Sequence, residues 1–192
     1  MNTPNKLTVF RIILIPFFVF FLLMQSIPNR FLFALITFCI AAITDHFDGE
    51  LARRNGQITD FGKFLDPLAD KMLVMSAFIC FIQLDIVGAL PVIIILMREF
   101  IVTSVRLVAM GYGKVISANI WGKAKTVSQI VAIIIILLTQ YTMETTYNIQ
   151  GINAAHFSVI NLVVVWISVI FTFISGVIYI IDNIKFISLT QK

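Results

Sequence analysis

Six apolar runs, each about 20 residues long, leave this chain few ways to fold. They fall near residues 7–26, 31–51, 64–84, 87–109, 124–143 and 157–181. A run of that length crosses the hydrocarbon of a bilayer as one helix, and in that solvent the backbone must satisfy its own hydrogen bonds. Composition agrees. Charged residues make up 12% of the 192, hydrophobic residues 59%, and mean hydropathy is +0.99. An ordinary soluble domain carries about 25% charge, so this chain has too little polar surface to coat a globule in water. The expectation is an all-α membrane protein with six transmembrane helices.

The first run carries Lys6 and Arg11, but no small-residue cleavage site follows it, only "FLLMQSIPNR". It therefore reads as a retained helix rather than a signal peptide. No linker, repeat or soluble insertion interrupts the chain, so residues 1–192 read as a single domain. Cys39 and Cys80 each sit inside an apolar run and read as small hydrophobes. The connections after the second and fourth runs hold Arg53, Arg54, Lys63, Lys114 and Lys123, and the termini add Lys6, Lys185 and Lys192. The alternate connections hold little more than Arg30. By the positive-inside rule both termini face the cytoplasm of a multi-pass cell-membrane protein.

One segment breaks the apolar pattern. "DHFDGELARRNGQITDFGKFLDPLADK" contains Asp45, Asp48, Glu50, Asp60, Asp66 and Asp70, six of the ten acidic residues. Asp45 and Asp48 are spaced i, i+3 near the end of the second helix, and Asp66 and Asp70 i, i+4 at the start of the third. Each spacing puts two carboxylates on one helical face. A short connection makes the two helices neighbours, so the pairs can converge at the cytoplasmic end of a polar active-site cavity. Four clustered carboxylates repel one another unless divalent cations sit between them, and oxygen donors suit Mg²⁺, Mn²⁺ or Ca²⁺. A solvated charged hairpin is the plainer alternative, but ionisable groups at membrane depth default to function. Gly49, Ala52 and Gly62 leave room for a bulky ligand near the backbone.

Asp45, Asp48, Gly49, Ala52, Arg53, Gly62, Asp66 and Asp70 stand at every fixed position of the CDP-alcohol phosphotransferase signature. Beyond it, "NKLTVFRIILIPFF", "MREFIVTSVR" and "WGKAKTVSQ" are similar to bacterial members of that family that take glycerol 3-phosphate as acceptor. The resemblance implies transfer of a phosphatidyl group from CDP-diacylglycerol to an alcohol, with release of CMP. It implies two ions, Mg²⁺ or Mn²⁺, held by Asp45, Asp48, Asp66 and Asp70, with Asp70 also the general base. It assigns CDP-diacylglycerol binding to Gly49, Ala52, Arg53 and Gly62, with Thr59, Thr8 and Arg11 as further candidates. It also implies a homodimer. The expected partners are the two substrates and membrane lipid, and not nucleic acid.

An acceptor that carries its own phosphate needs a second cationic site. Arg98 and Arg106 fall within the fourth run, where an arginine without a role would be costly. Lys123 and Lys125 open the fifth. These four are the expected acceptor-phosphate residues, although Glu99 could pair with one of them as scaffolding. Arg11 could alternatively snorkel to headgroups as an anchor. His46 reads as a support or packing residue, and His156 as a polar loop residue. Rival readings are a divalent-cation transporter, which would want charge at the midplane, and a same-family enzyme for inositol phosphate, serine or phosphatidylglycerol. The basic set disfavours serine.

Overall fold

The computed structural model describes the backbone of residues 3–55, 60–112, 120–146 and 154–189, and the side chains of 7–44, 68–69, 71–112, 120–145 and 155–183. Within these, six helices follow one another: α1 (Thr3–Leu23), α2 (Arg30–Asn55), α3 (Asp60–Gln83), α4 (Ala89–Gly111), α5 (Ile120–Thr146) and α6 (Ala154–Leu189). Each expected run has its helix. The main difference is α6, which continues to Leu189 rather than ending near 181. Apolar length reports the part of a helix that suits lipid, whereas the helical backbone continues into the polar stretch "DNIK".

The two short connections are built on left-handed residues. Asp85 has φ 54° and Asn29 φ 57°, a conformation that aspartate and asparagine tolerate better than other side chains. At the end of α3 the Asp85 amide donates to the Ile82 carbonyl at 3.0 Å, and the Ile86 amide to the Phe81 carbonyl at 2.9 Å. Those two bonds form a Schellman cap, which stops the helix and turns the chain toward α4.

Helix α1 packs against α2 and α3, and α6 packs against α4 and α5; α5 meets α2 and α3, and α3 also touches α4. Phe18, Leu22, Phe38, Phe78 and Phe81 fill the first half, and Ile133, Ile136, Leu137 and Val165 the second. The Phe18 and Phe38 rings lie 5.7 Å apart, and those of Phe78 and Phe81 6.3 Å. In lipid such packing draws on dispersion and fit rather than on dehydration.

The outside of the bundle is as apolar as its centre. Phe100 is 65% exposed and Phe173 63%, whereas Arg11 is 1% and Lys125 5% exposed. A protein in water would not choose that inversion. Helical stretches Ile120–Thr145 and Ala155–Asn183 are long and apolar enough to cross a membrane.

Candidate active site

The signature divides between two helices. Asp45, Asp48, Gly49, Ala52 and Arg53 fall on α2, and Gly62, Asp66 and Asp70 on α3. Their side chains lie outside the described residues, and Thr59 lies outside them altogether. The helical backbone runs unbroken through both aspartate pairs, so the i, i+3 and i, i+4 spacings hold. Helices α2 and α3 are in contact. The donor chemistry of four such carboxylates fits hard divalent cations. Among the described residues no group of three His, Cys, Asp or Glu forms a metal cluster.

Thr8 and Arg11 lie on the face of α1 that is covered by neighbouring helices, each 1% exposed. That burial disposes of the anchor reading for Arg11, because a snorkelling side chain must reach the headgroups. Both residues hold interactions within the protein.

One step beyond Asp70, Lys71 begins a cavity of about 240 Å³ between α3, α4, α5 and α6. Arg98, Glu99, Thr103 and Arg106 line it from α4, Lys125 and Gln129 from α5, and Tyr179 from α6. Helix phase explains the grouping: Glu99, Thr103 and Arg106 recur at i, i+4, i+7, and Lys125 and Gln129 at i, i+4, each set on one face. Among the described residues four cationic side chains and one carboxylate line this cavity, a formal excess of three positive charges.

Glu99 is the hub. Its Oε1 accepts from Lys125 Nζ and, at 3.1 Å, from Arg98 Nη1. Arg98 Nη2 donates to Ser175 Oγ at 2.7 Å. Lys71 Nζ donates to Thr103 Oγ1, whose own hydroxyl donates a hydrogen bond to the Glu99 carbonyl at 2.6 Å. Arg106 differs. Its guanidinium carbon lies 5.9 Å from the Tyr179 ring centroid, and its buried Nε has no hydrogen-bond partner among the described residues.

Of the four residues expected to bind acceptor phosphate, the cavity gathers Arg98, Arg106 and Lys125. Lys123 is exposed and does not line it. The two lysines are two residues apart, about 200° around a helix, so one cannot share the other's face. Sequence reasoning missed Lys71, Gln129 and Tyr179. Lys71 was hidden behind the aspartates beside it, but Gln129 could have been found from its i, i+4 relation to Lys125 in an apolar run. His156 is exposed at the start of α6, and Cys39 and Cys80 are free thiols.

The sequence pattern described as CDP-alcohol phosphatidyltransferase matches residues 1–174. The chain belongs to this family. Its relatives include a Bacillus subtilis (strain 168) protein named CDP-diacylglycerol–glycerol-3-phosphate 3-phosphatidyltransferase, 42% identical over 186 residues and 91% of each chain. A Rickettsia bellii protein of the same name is 34% identical over 178 residues, 93% of each chain. An Escherichia coli (strain K12) protein, again so named, is 43% identical over 136 residues, covering 69% of this chain and 74% of its own. Along α3 the acidic segment ends at Asp70 and the lining of the cavity begins at Lys71.

Proposed function

We propose that this chain is an enzyme that transfers the phosphatidyl group of CDP-diacylglycerol to sn-glycerol 3-phosphate, giving phosphatidylglycerophosphate and CMP in phospholipid synthesis. The observation that carries it is the cavity on α3–α6, whose described lining residues hold four cations and one carboxylate, a surplus that suits an acceptor bearing a phosphate monoester. The relatives named for that same acceptor support the choice of glycerol 3-phosphate over other phosphorylated alcohols.

In this reading Asp45, Asp48, Asp66 and Asp70 would hold two Mg²⁺ or Mn²⁺ ions. When bound, the ions supply charge neutralisation and orientation of the donor's diphosphate. Gly49, Ala52 and Gly62 leave space for the nucleotide, and Arg53 offers its fork of donors to a phosphate. Thr8, Arg11 and Thr59 are further contacts to CDP-diacylglycerol. Arg98, Arg106 and Lys125 bind the acceptor phosphate, with Lys123 an outer contribution at most. Asp70 takes the proton of the attacking hydroxyl as its oxygen bonds to the phosphatidyl phosphorus, and the bond from that phosphorus to CMP breaks. A carboxylate is a weak base for an alcohol, so placement of the acceptor must contribute much of the acceleration.

The six helices would all cross the cell membrane, as a single domain over residues 1–192. Both termini and the mouth of the cavity would face the cytoplasm, where the acceptor and the basic connections are found together. The assembly we expect is a homodimer in membrane lipid.

The decisive experiment is release of CMP from CDP-diacylglycerol by the purified chain in detergent, across a panel of glycerol 3-phosphate, inositol phosphate, serine and phosphatidylglycerol. Preference for glycerol 3-phosphate is expected, as is loss of turnover on chelation and its return with Mg²⁺ or Mn²⁺. Equal turnover with serine, or full activity after exhaustive chelation, would overturn the assignment.

A further inference from the structure

By composition α6 is the most uniformly apolar helix, yet one face of it is polar and sealed. Ser168, Thr172 and Ser175 are each 0% exposed and Tyr179 is 4%, at spacings of four, three and four residues that keep them on one side. Gln129 Nε2 of α5 donates to Thr172 Oγ1 at 3.2 Å. The next two members of the row serve α4.

Gly176 lies against the stem of Arg98. A Cβ at this position would stand 3.0 Å from Arg98 Cγ and 4.0 Å from its Cβ. The stem of the side chain, not its flexible tip, fills that space, so an alanine at 176 requires the stem to give by a few tenths of an ångström. Ser175 Oγ takes Nη2 of the same arginine at 2.7 Å, while Nη1 rests on Glu99 at 3.1 Å. Arg98 is therefore fixed at its root and at both arms of its fork. One turn along, the Tyr179 ring lies 5.9 Å from the Arg106 guanidinium carbon. Among the described residues Arg106 has no hydrogen bond or ion pair, so the ring is its one directional neighbour. All three α6 residues lie beyond residue 174, where the family match ends.

We propose that Ser175, Gly176 and Tyr179 are positioning residues that aim Arg98 and Arg106 into the cavity, and so set affinity for the anionic acceptor independently of the lipid donor. This rests on the acceptor-site reading above. A guanidinium fork discriminates by direction as well as charge. An arginine displaced at its stem keeps its charge but presents its donors to the wrong place.

The test measures KM for glycerol 3-phosphate and for CDP-diacylglycerol on the purified full chain. Gly176→Ala and Tyr179→Leu are expected to raise the acceptor KM by about tenfold, with the donor KM within about twofold of the parent. Tyr179→Phe, which keeps the ring, restores most of what Tyr179→Leu loses. In an Arg98→Ala background Gly176→Ala adds nothing further, because Gly176 acts through that arginine. Should Gly176→Ala fail to accumulate, Ser175→Ala removes one bond without adding volume and carries the same comparison. Equal changes in both KM values, additivity of Gly176→Ala with Arg98→Ala, or damage from Tyr179→Phe equal to that from Tyr179→Leu would overturn the proposal. The single variants Arg98→Ala and Arg106→Ala separate the two levels. If neither raises the acceptor KM, the acceptor-site reading itself fails; if both do and the α6 variants do not, only the positioning role fails.

Discussion

Among the described residues Glu99 is the one carboxylate that lines a cavity with four cations, and Glu99→Gln removes its charge while leaving its shape. The Lys125 side chain is 7% exposed and that of Glu99 8%, so neither group is rescued by bulk solvent. Removing one partner of a buried pair costs about 3–5 kcal/mol, because the charge left behind stays buried and unpaired. The glutamine oxygen can still accept from Lys125, returning about 1 kcal/mol, and the cavity can admit water. Arg98 keeps its bond to Ser175 Oγ. The expected loss is therefore near the bottom of the range, about 3 kcal/mol. For a chain of this length that corresponds to a fall in melting temperature on the order of 10 °C. Thermal unfolding in detergent, followed by the fluorescence of Trp121 and Trp166, reads it directly. Adding Lys125→Met to Glu99→Gln takes away the stranded ammonium and should recover most of the loss. A fall of less than about 3 °C, or a double variant less stable than Glu99→Gln, would refute the reasoning that Glu99 and Lys125 are a buried pair in which each depends on the other.

Asp70→Asn should leave the melting temperature near that of the parent and abolish nearly all CMP release; substantial remaining turnover would remove Asp70 as the base. Arg106→Ala should raise KM for glycerol 3-phosphate by about tenfold or more, the loss of a charge-assisted contact, with a smaller change for CDP-diacylglycerol; equal changes would relocate the arginine. Lys125→Ala should weaken acceptor binding far more than Lys123→Ala, since only Lys125 faces the cavity; the reverse order in a KM comparison would dismiss the phase argument. Chelation followed by add-back of Mg²⁺ or Mn²⁺ should switch CMP release off and on, and full activity without metal would exclude the aspartates as ligands.

Helix number and approximate limits were legible because long apolar runs alternate with short polar breaks along the chain. The signature was legible because its carboxylates stand against an apolar background. Arg98 and Arg106 declared themselves for the same reason: a charge inside an apolar run is conspicuous. What stayed hidden was polar chemistry with no charge to mark it. Ser175, Gly176 and Tyr179 sit among isoleucines, valines and phenylalanines, and small hydroxyl residues and glycine are common in membrane helices simply for packing. Which of them matter depends on the side chain opposite, and Arg98 is 77 residues from Ser175 in sequence. The structure separates Lys123 from Lys125, which the sequence reading groups together. That grouping uses proximity along the chain where the helical turn of about 100° per residue decides.

Glu99 bears unequally on the described cations around it. Arg98 and Lys125 spend part of their charge on Glu99, and Lys71 is tied to Thr103. Arg106 spends none on the described residues, so an incoming phosphate finds its strongest uncompensated field there. On the proposed assignment the phosphate of the acceptor settles against α4 and α6. The rest of that small molecule must then extend toward α3, where Asp70 precedes Lys71 by one helical step. On that assignment a base on α3 and an anion site on α4 and α6 would impose an upper limit on acceptor length. An alcohol with a longer spacer between phosphate and hydroxyl would bind the arginines and yet carry its oxygen past the base. Such a compound should therefore inhibit CMP release competitively with glycerol 3-phosphate while being consumed slowly itself, and rapid turnover of it would show that the two sites are not held at a fixed separation.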